Sequence, residues 1–233
     1  MDSGFRLFGP VHLAVIATIV AVPVLLALLA RRNATLVHPI RYGLALGLLG
    51  NELAWYLHVL ELGWVGFPDG LPLQLSDVTF WLAIVVALTL RPALFDIVYY
   101  WALAGASLTV ITPELWEPFP SRATIQFFVM HGGVVATILY LILVGLARPR
   151  PGSMRLSFLV LLVFTSFVGA FNAVFGTNYM FLREKPVSPT LLDYMGPWPV
   201  YIGTAGALGA LLFWLLWLPF RPKRDQLIPA SRL

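Results

Sequence analysis

An imidazole set beside a buried carboxylate can take the proton of a hydroxyl, and a serine becomes nucleophilic in this way. His131, Ser76 and either Asp77 or Glu52 supply those residue types, and they are the candidate catalytic groups. Spacing limits which of them cooperate. Gln74 and Asp77 are neighbours on one helical face, while Ser76 is turned about 100° from Asp77. Asn51, Trp55 and His58 share a face, with Glu52 and Tyr56 on the adjacent one. Gly132 and Gly133 follow His131 directly and permit another helix to approach it closely. The plainer reading of a lone serine in an apolar helix is a side chain bonded to its own backbone. The candidate substrate-binding groups are His12, Gln74, His58, Asn172, Asn178, Tyr179 and Trp198. His12, His58, His131 and Glu52 are also metal-ligand types, but no pair of them has a recognised helical spacing, so neither a metal nor a cofactor is expected.

The elements that must position these groups follow from composition. The 233 residues are 59% hydrophobic and 11% charged, with mean hydropathy +0.85. An ordinary globular chain is about one quarter charged, and a water-soluble fold could not hide this much apolar surface. Apolar runs span Pro10 to Ala30, Ile40 to Leu60, Pro72 to Leu90, Leu94 to Ile111, Ala123 to Leu146, Leu156 to Phe175 and Pro197 to Pro219. Runs of this length suit a hydrocarbon core about 30 Å thick. The expected fold is an all-α polytopic bundle of seven transmembrane helices forming one membrane domain over residues 1–233. The first run is too long for a signal-peptide core and Arg31 and Arg32 follow it, so it reads as a span. Cysteine is absent, which excludes disulfides, thiolate metal sites and a cysteine nucleophile.

Alternating spans put Arg6, Arg122, Arg183 and Lys185 on one side of the membrane. Arg31, Arg32, Arg41, Arg91, Arg148, Arg150, Arg155, Arg221, Lys223, Arg224 and Arg232 fall on the other. The bias places the second side in the cytoplasm, with the N-terminus outside and the C-terminus inside. It also favours an odd number of spans, and it explains the net charge of +4 by helix ends instead of a nucleic-acid patch. The expected location is the cell membrane of a bacterium.

Polar groups then share a depth. His12, Asn51, Glu52, His58, Gln74, Ser76, Asp77, Thr79, Thr109, Thr112, His131, Asn172 and Tyr201 all fall in the outer half, whereas inner stretches such as Leu141 to Gly145 and Leu208 to Leu218 are almost purely apolar. Such groups are expensive in hydrocarbon unless partnered, so their convergence describes either a cavity open to the outer face or a hydrogen-bonded scaffold. The last outer connection, with Gly176 to Leu182 and Gly196 to Pro199, has the turn formers and aromatics of a lid as well as of interface anchors.

Six segments in order resemble the bacterial YwaF-like family of seven-helix membrane proteins, which is similar to eukaryotic transmembrane protein 164. They are Phe8 to Leu13, Leu71 to Asp77, Leu108 to Glu114, Phe127 to Gly132, Gly176 to Met180 and Gly196 to Pro199. The resemblance implies an enzyme acting on lipids, since the eukaryotic relative is described as an acyltransferase that moves fatty acyl groups onto lysophospholipids. The family's third-helix motif usually reads Leu-Pro-Leu-His-Leu-Cys, and Gln74 and Ser76 stand where its His and Cys would be. His12 and His131 are retained. Acyl chemistry here would therefore fall to Ser76, a poorer nucleophile needing stronger base assistance.

Two functions are thus expected in competition. One is a lipid acyltransferase or hydrolase, and the other is a non-enzymatic protein that binds or transports lipid or small solutes. A seven-helix sensor ranks last, since helix 7 carries no retinal-type lysine. Membrane lipids are the expected partners, and nucleic acid is not.

Overall fold

Several helices start where the chain offers a preset φ or a side-chain cap. Pro10 and Pro92 sit in the first turns of two helices, where a missing N–H leaves nothing unsatisfied. Ser121 caps another by accepting the Thr124 N–H at 3.1 Å. Gln74 occupies a further N-cap position, where the Asp77 carboxylate reaches back to its N–H at 3.1 Å. That cap starts the third helix at Leu75 instead of Pro72.

The computed structural model describes residues 5–64, 66–115, 117, 119–187 and 190–221. Lys223, Arg224 and Arg232, counted above in the charge bias, lie outside the described residues. Those residues form seven helices and no strand: α1 (Pro10–Arg32), α2 (Val37–Glu61), α3 (Leu75–Thr89), α4 (Pro92–Ile111), α5 (Arg122–Leu143), α6 (Ser153–Phe175) and α7 (Val200–Trp217). Of these, α1, α4, α5, α6 and α7 with its short continuation to Phe220 are long and apolar enough to cross a membrane. α2 is long but carries Arg41 and Glu52. α3 rises only about 22 Å, and an extended segment leads into it.

The helix in the middle of the bundle is α5, which packs on α1, α2, α3 and α4. Two glycines admit its neighbours. A Cβ at Gly132 would stand 2.5 Å from Ile19 of α1, and one at Gly133 would stand 2.7 Å from Leu48 of α2. By contrast α1, α6 and α7 are buried on one narrow face only, and residues such as Val163 (71% exposed) and Val174 (75%) point outward. Apolar side chains this exposed over whole helices are stable only in lipid.

Loop contacts define two ends. At one end Tyr179, after α6, bonds Leu71 and Pro68, after α2, and His12 at the start of α1 bonds Val110 near the end of α4; this is called the lid end below. At the other, Leu90, Gly145 to Ala147, Arg148, Arg150 and Phe220 border a common void, and this is the basic end. The expectation that the basic half is almost purely apolar is corrected here. Asp96, 2% exposed, accepts both the Arg150 N–H at 3.0 Å and its Nε–H at 2.6 Å, pinning the α5–α6 connection to α4. The Tyr100 hydroxyl bonds Ser153, and the Tyr99 and Tyr140 hydroxyls donate to Leu216 O and Val37 O at 2.9 Å. Arg41 is also buried. The physical reason is that helix ends and connectors leave backbone groups without partners, and polar side chains from other helices satisfy them.

Candidate functional site

Between α4, α6 and α7 lies a cavity of about 470 Å³, roofed by residues 180–182, Pro186 and residues 190–195 and half open at its mouth. A turn of π-helix, Trp101–Ala106, forms part of its wall, so the extra residue in α4 shapes the chamber. Most of the lining is apolar: Leu108, Phe158, Leu161, Leu212 and Phe213 on the helices, and Met180, Phe181 and Leu182 on the roof. Polar groups enter at Thr109, Thr112, Glu114, Thr165, Thr190 and Tyr201. None of the eleven candidates named from the sequence lines this space.

Several of those candidates build the roof instead. Asn172, fully buried, donates through Nδ2 to Tyr179 O at 2.9 Å and accepts at Oδ1 from the Tyr179 N–H at 3.0 Å and the Thr177 hydroxyl at 2.8 Å. The Tyr179 hydroxyl accepts from the Leu71 N–H and donates to Pro68 O, both at 2.9 Å. Gln74 Oε1 accepts the Met180 N–H at 2.8 Å. Asn178 braces the turn that follows, accepting from the Arg183 N–H and donating to Glu184 O. Trp198 Nε1 donates to Leu182 O at 3.0 Å, and the Tyr201 hydroxyl donates to Phe181 O. Side chains thus replace regular structure across much of this connection, and its described residues hold only two short 3-10 turns, Tyr179–Phe181 and Leu191–Met195, where the backbone crosses the top of the bundle.

The histidines divide. His12 uses both ring nitrogens, accepting the Phe8 N–H at Nδ1 (3.0 Å) and meeting Val110 O with Nε2 (2.8 Å), and it is fully buried between Phe5, Phe8 and Phe128. It ties α1 to the lid end of α4. His58 sits at the end of α2, 3.9 Å from Glu61. His131 meets Phe127 O with Nδ1 at 2.9 Å, and its ring stands 4.4 Å from the Phe127 ring. The carbonyl fixes the proton on Nδ1, so Nε2 carries a lone pair, and it makes no hydrogen bond among the described residues. That is the state a general base requires.

Depth and facing can be read from shared contacts. Leu90 and Ile142 border the same void, and at about 1.5 Å per residue Ser76 lies about 21 Å and His131 about 16 Å from that level. Leu48 meets Gly133, which places Glu52 about 6 Å and His131 about 3 Å toward the lid end from there. The candidates therefore share a level to within a few ångströms. Their directions differ. Residues 131 and 133 are turned about 200° apart on α5, so His131 faces away from α2 and from Glu52. Ser76 continues the buried stripe of Phe80, Ala83 and Ala87. The Asp77 charge reaches Glu52, and both reach the Tyr56 hydroxyl. Glu52 is 5% exposed and its Oε2 has no partner among the described residues, while Asp77 is occupied as a helix cap. The structure therefore brings Glu52 and Asp77 together, and no hydrogen bond among the described residues joins either of them to His131 or Ser76.

The TMEM164 family model matches residues 7–217, from before the first helix to the end of the last. The chain belongs to the TMEM164 family. No curated protein matches it, and neither does any solved structure. Membership in the TMEM164 family agrees with the multi-pass helical bundle and covers the lid, the cavity and His131 alike.

The residue that sequence reasoning passed over in this TMEM164 member is Glu114. It borders the large cavity on one side and a small void beneath Phe127 on the other, and so stands between the chamber and the helix turn that carries His131. Burial pushes its carboxyl above the usual glutamate range. A signal was present: Thr109, Thr112 and Glu114 follow one another within a segment that carries the family resemblance, just after an apolar run.

Proposed function

We propose that this TMEM164-family protein binds a membrane lipid, holding an acyl chain in the cavity between α4, α6 and α7, in a cell membrane with its basic end toward the cytoplasm. One observation carries the reading: the chamber bordered by α4, α6 and α7 is lined mostly by apolar side chains, has a few polar groups among them, and is roofed by a braced connection. Its size is that of a small-molecule site, about 300–1,000 Å³, and apolar lining of this kind takes hydrocarbon in preference to water or ions.

A second reading adds acyl transfer or hydrolysis. It is favoured by the unbonded Nε2 of His131 and by the family resemblance, with Ser76 as the hydroxyl that would accept the acyl group. The carbonyl carbon of the ester would bond to Ser76 Oγ, the serine proton would pass to His131 Nε2, and the alcohol portion of the lipid would leave with a proton. Water or a lysophospholipid hydroxyl would then release the acyl group. Glu52 or Asp77 as the partner of His131 receives no support from their facing.

Both readings are tested by incubating the purified protein with labelled phospholipid and lysophospholipid, and comparing wild type, His131→Ala and Ser76→Ala. Retained lipid in all three with no product supports binding alone. Turnover lost by a hundredfold or more in both variants supports the chemistry. Failure of the wild type to retain any lipid overturns the cavity reading.

A further inference from the structure

Most of the hydrogen-bond donors around the cavity are already spent, the Thr165 and Thr190 hydroxyls excepted. Thr109 Oγ1 donates to Gly105 O at 3.1 Å and Thr112 Oγ1 donates to Leu108 O at 2.9 Å, both within α4. On the roof the Met180 N–H goes to Gln74 Oε1 at 2.8 Å. The Tyr201 hydroxyl goes to Phe181 O, and Trp101 Nε1 goes to Ser157 O at 3.4 Å. What the Thr109 and Thr112 hydroxyls still present to the chamber is lone pairs.

Charge points the same way. Among the described residues the lining contains no lysine, arginine or histidine, and its one carboxylic acid is Glu114. Glu114 makes no hydrogen bond or ion pair among the described residues. Lys185 stands 5.5 Å from the Tyr201 ring, but it is engaged by Asp193 at 3.9 Å and does not line the chamber. An anionic head in this chamber would meet a carboxylate and oxygen lone pairs, with only the uncharged Thr165 and Thr190 hydroxyls to receive it. A hydroxyl head would satisfy one acceptor. An ammonium would satisfy several and neutralise the acid, and charge-assisted bonds of that kind are the strong ones in a partly dry site.

We propose that the cavity selects a single-chain amphiphile with an ammonium head, which pairs with Glu114 and donates to the Thr109 and Thr112 hydroxyls while its alkyl chain lies along α6 and α7. The proposal rests on the cavity reading given above and adds the chemical class of the head. It says nothing about which bond, if any, is broken.

The experiment measures binding of dodecylammonium, dodecanol and dodecanoate to the purified chain in an uncharged maltoside detergent by native mass spectrometry. The expected order is ammonium over alcohol over carboxylate, with at least about tenfold between the first and the last, the worth of one charge-assisted hydrogen bond. Glu114→Gln should bring the ammonium down toward the affinity of the alcohol and change the alcohol by a much smaller factor. Thr112→Val, which keeps the size of the side chain and removes one acceptor, should weaken the ammonium by a smaller factor and serves where the first variant does not fold. Equal affinity for all three heads, or ammonium binding untouched in both variants, overturns the head preference and leaves the cavity standing. Absence of binding by all three amphiphiles overturns the cavity reading and this proposal together.

Discussion

Asn172 shows how a polar residue in an apolar helix can be wholly structural. Its amide makes three bonds to Thr177 and Tyr179, and each of those partners would be stranded in a buried setting by truncation. Asn172→Ala is expected to destabilise the fold by about 2–3 kcal/mol, read as a lowered unfolding temperature in detergent. Lipid retention should fall with it, because the same bonds hold the roof. Glu114 belongs to the same scale but carries a charge that function would use. Its carboxyl sits above the ordinary value of 4.5 because burial disfavours the ion. An alkylammonium stays charged far above neutral pH, so only the acid titrates. Amine binding should therefore be full at neutral pH and decline as pH falls, beginning above pH 4.5. Glu117 borders the same small void, so the titration is to be compared with that of Glu117→Gln, which should leave the midpoint at Glu114. A binding curve flat down to pH 4 would remove Glu114 from the recognition.

At the scale of elements, α5 decides how the bundle closes. Gly132 and Gly133 admit α1 and α2 at a separation that a β-carbon would oppose. Gly133→Val is expected to destabilise by about 1–3 kcal/mol through overpacking against Leu48, and Leu48→Ala in the same chain should recover part of the loss. Additive losses in the double variant would show that the two side chains do not meet. The same pair of glycines turns His131 away from α2, so the packing that makes the bundle tight also keeps His131 apart from Glu52. α4 is the other deciding element: its π turn widens the wall where Trp101 and Gly105 face α6 and α7. Helical periodicity located the span. It could not announce the extra residue in that turn, because Trp101 to Ala106 has the composition of ordinary helix.

At the scale of the whole molecule, the uneven distribution of arginine predicts that the lid end faces outward. The chain has no cysteine, so single cysteines can be introduced without background. In intact cells Val187→Cys, at a fully exposed position of the lid, should react with a membrane-impermeant maleimide, while Arg148→Cys should react only after permeabilisation. The reverse pattern would invert the assignment. The bundle of seven helices was legible in the residues alone, because a long apolar run is a local property, and so are the caps and prolines that start several of the helices. The shared depth of the polar groups was legible for the same reason, since depth is counted along a single helix. Facing was not. Which neighbour a side chain meets depends on how all seven helices are rotated and packed, and that rotation turned Asn172, Gln74 and Tyr179 into braces, kept His131 apart from Glu52, and opened the chamber beside α4, at Glu114, where no single run of sequence could reveal it.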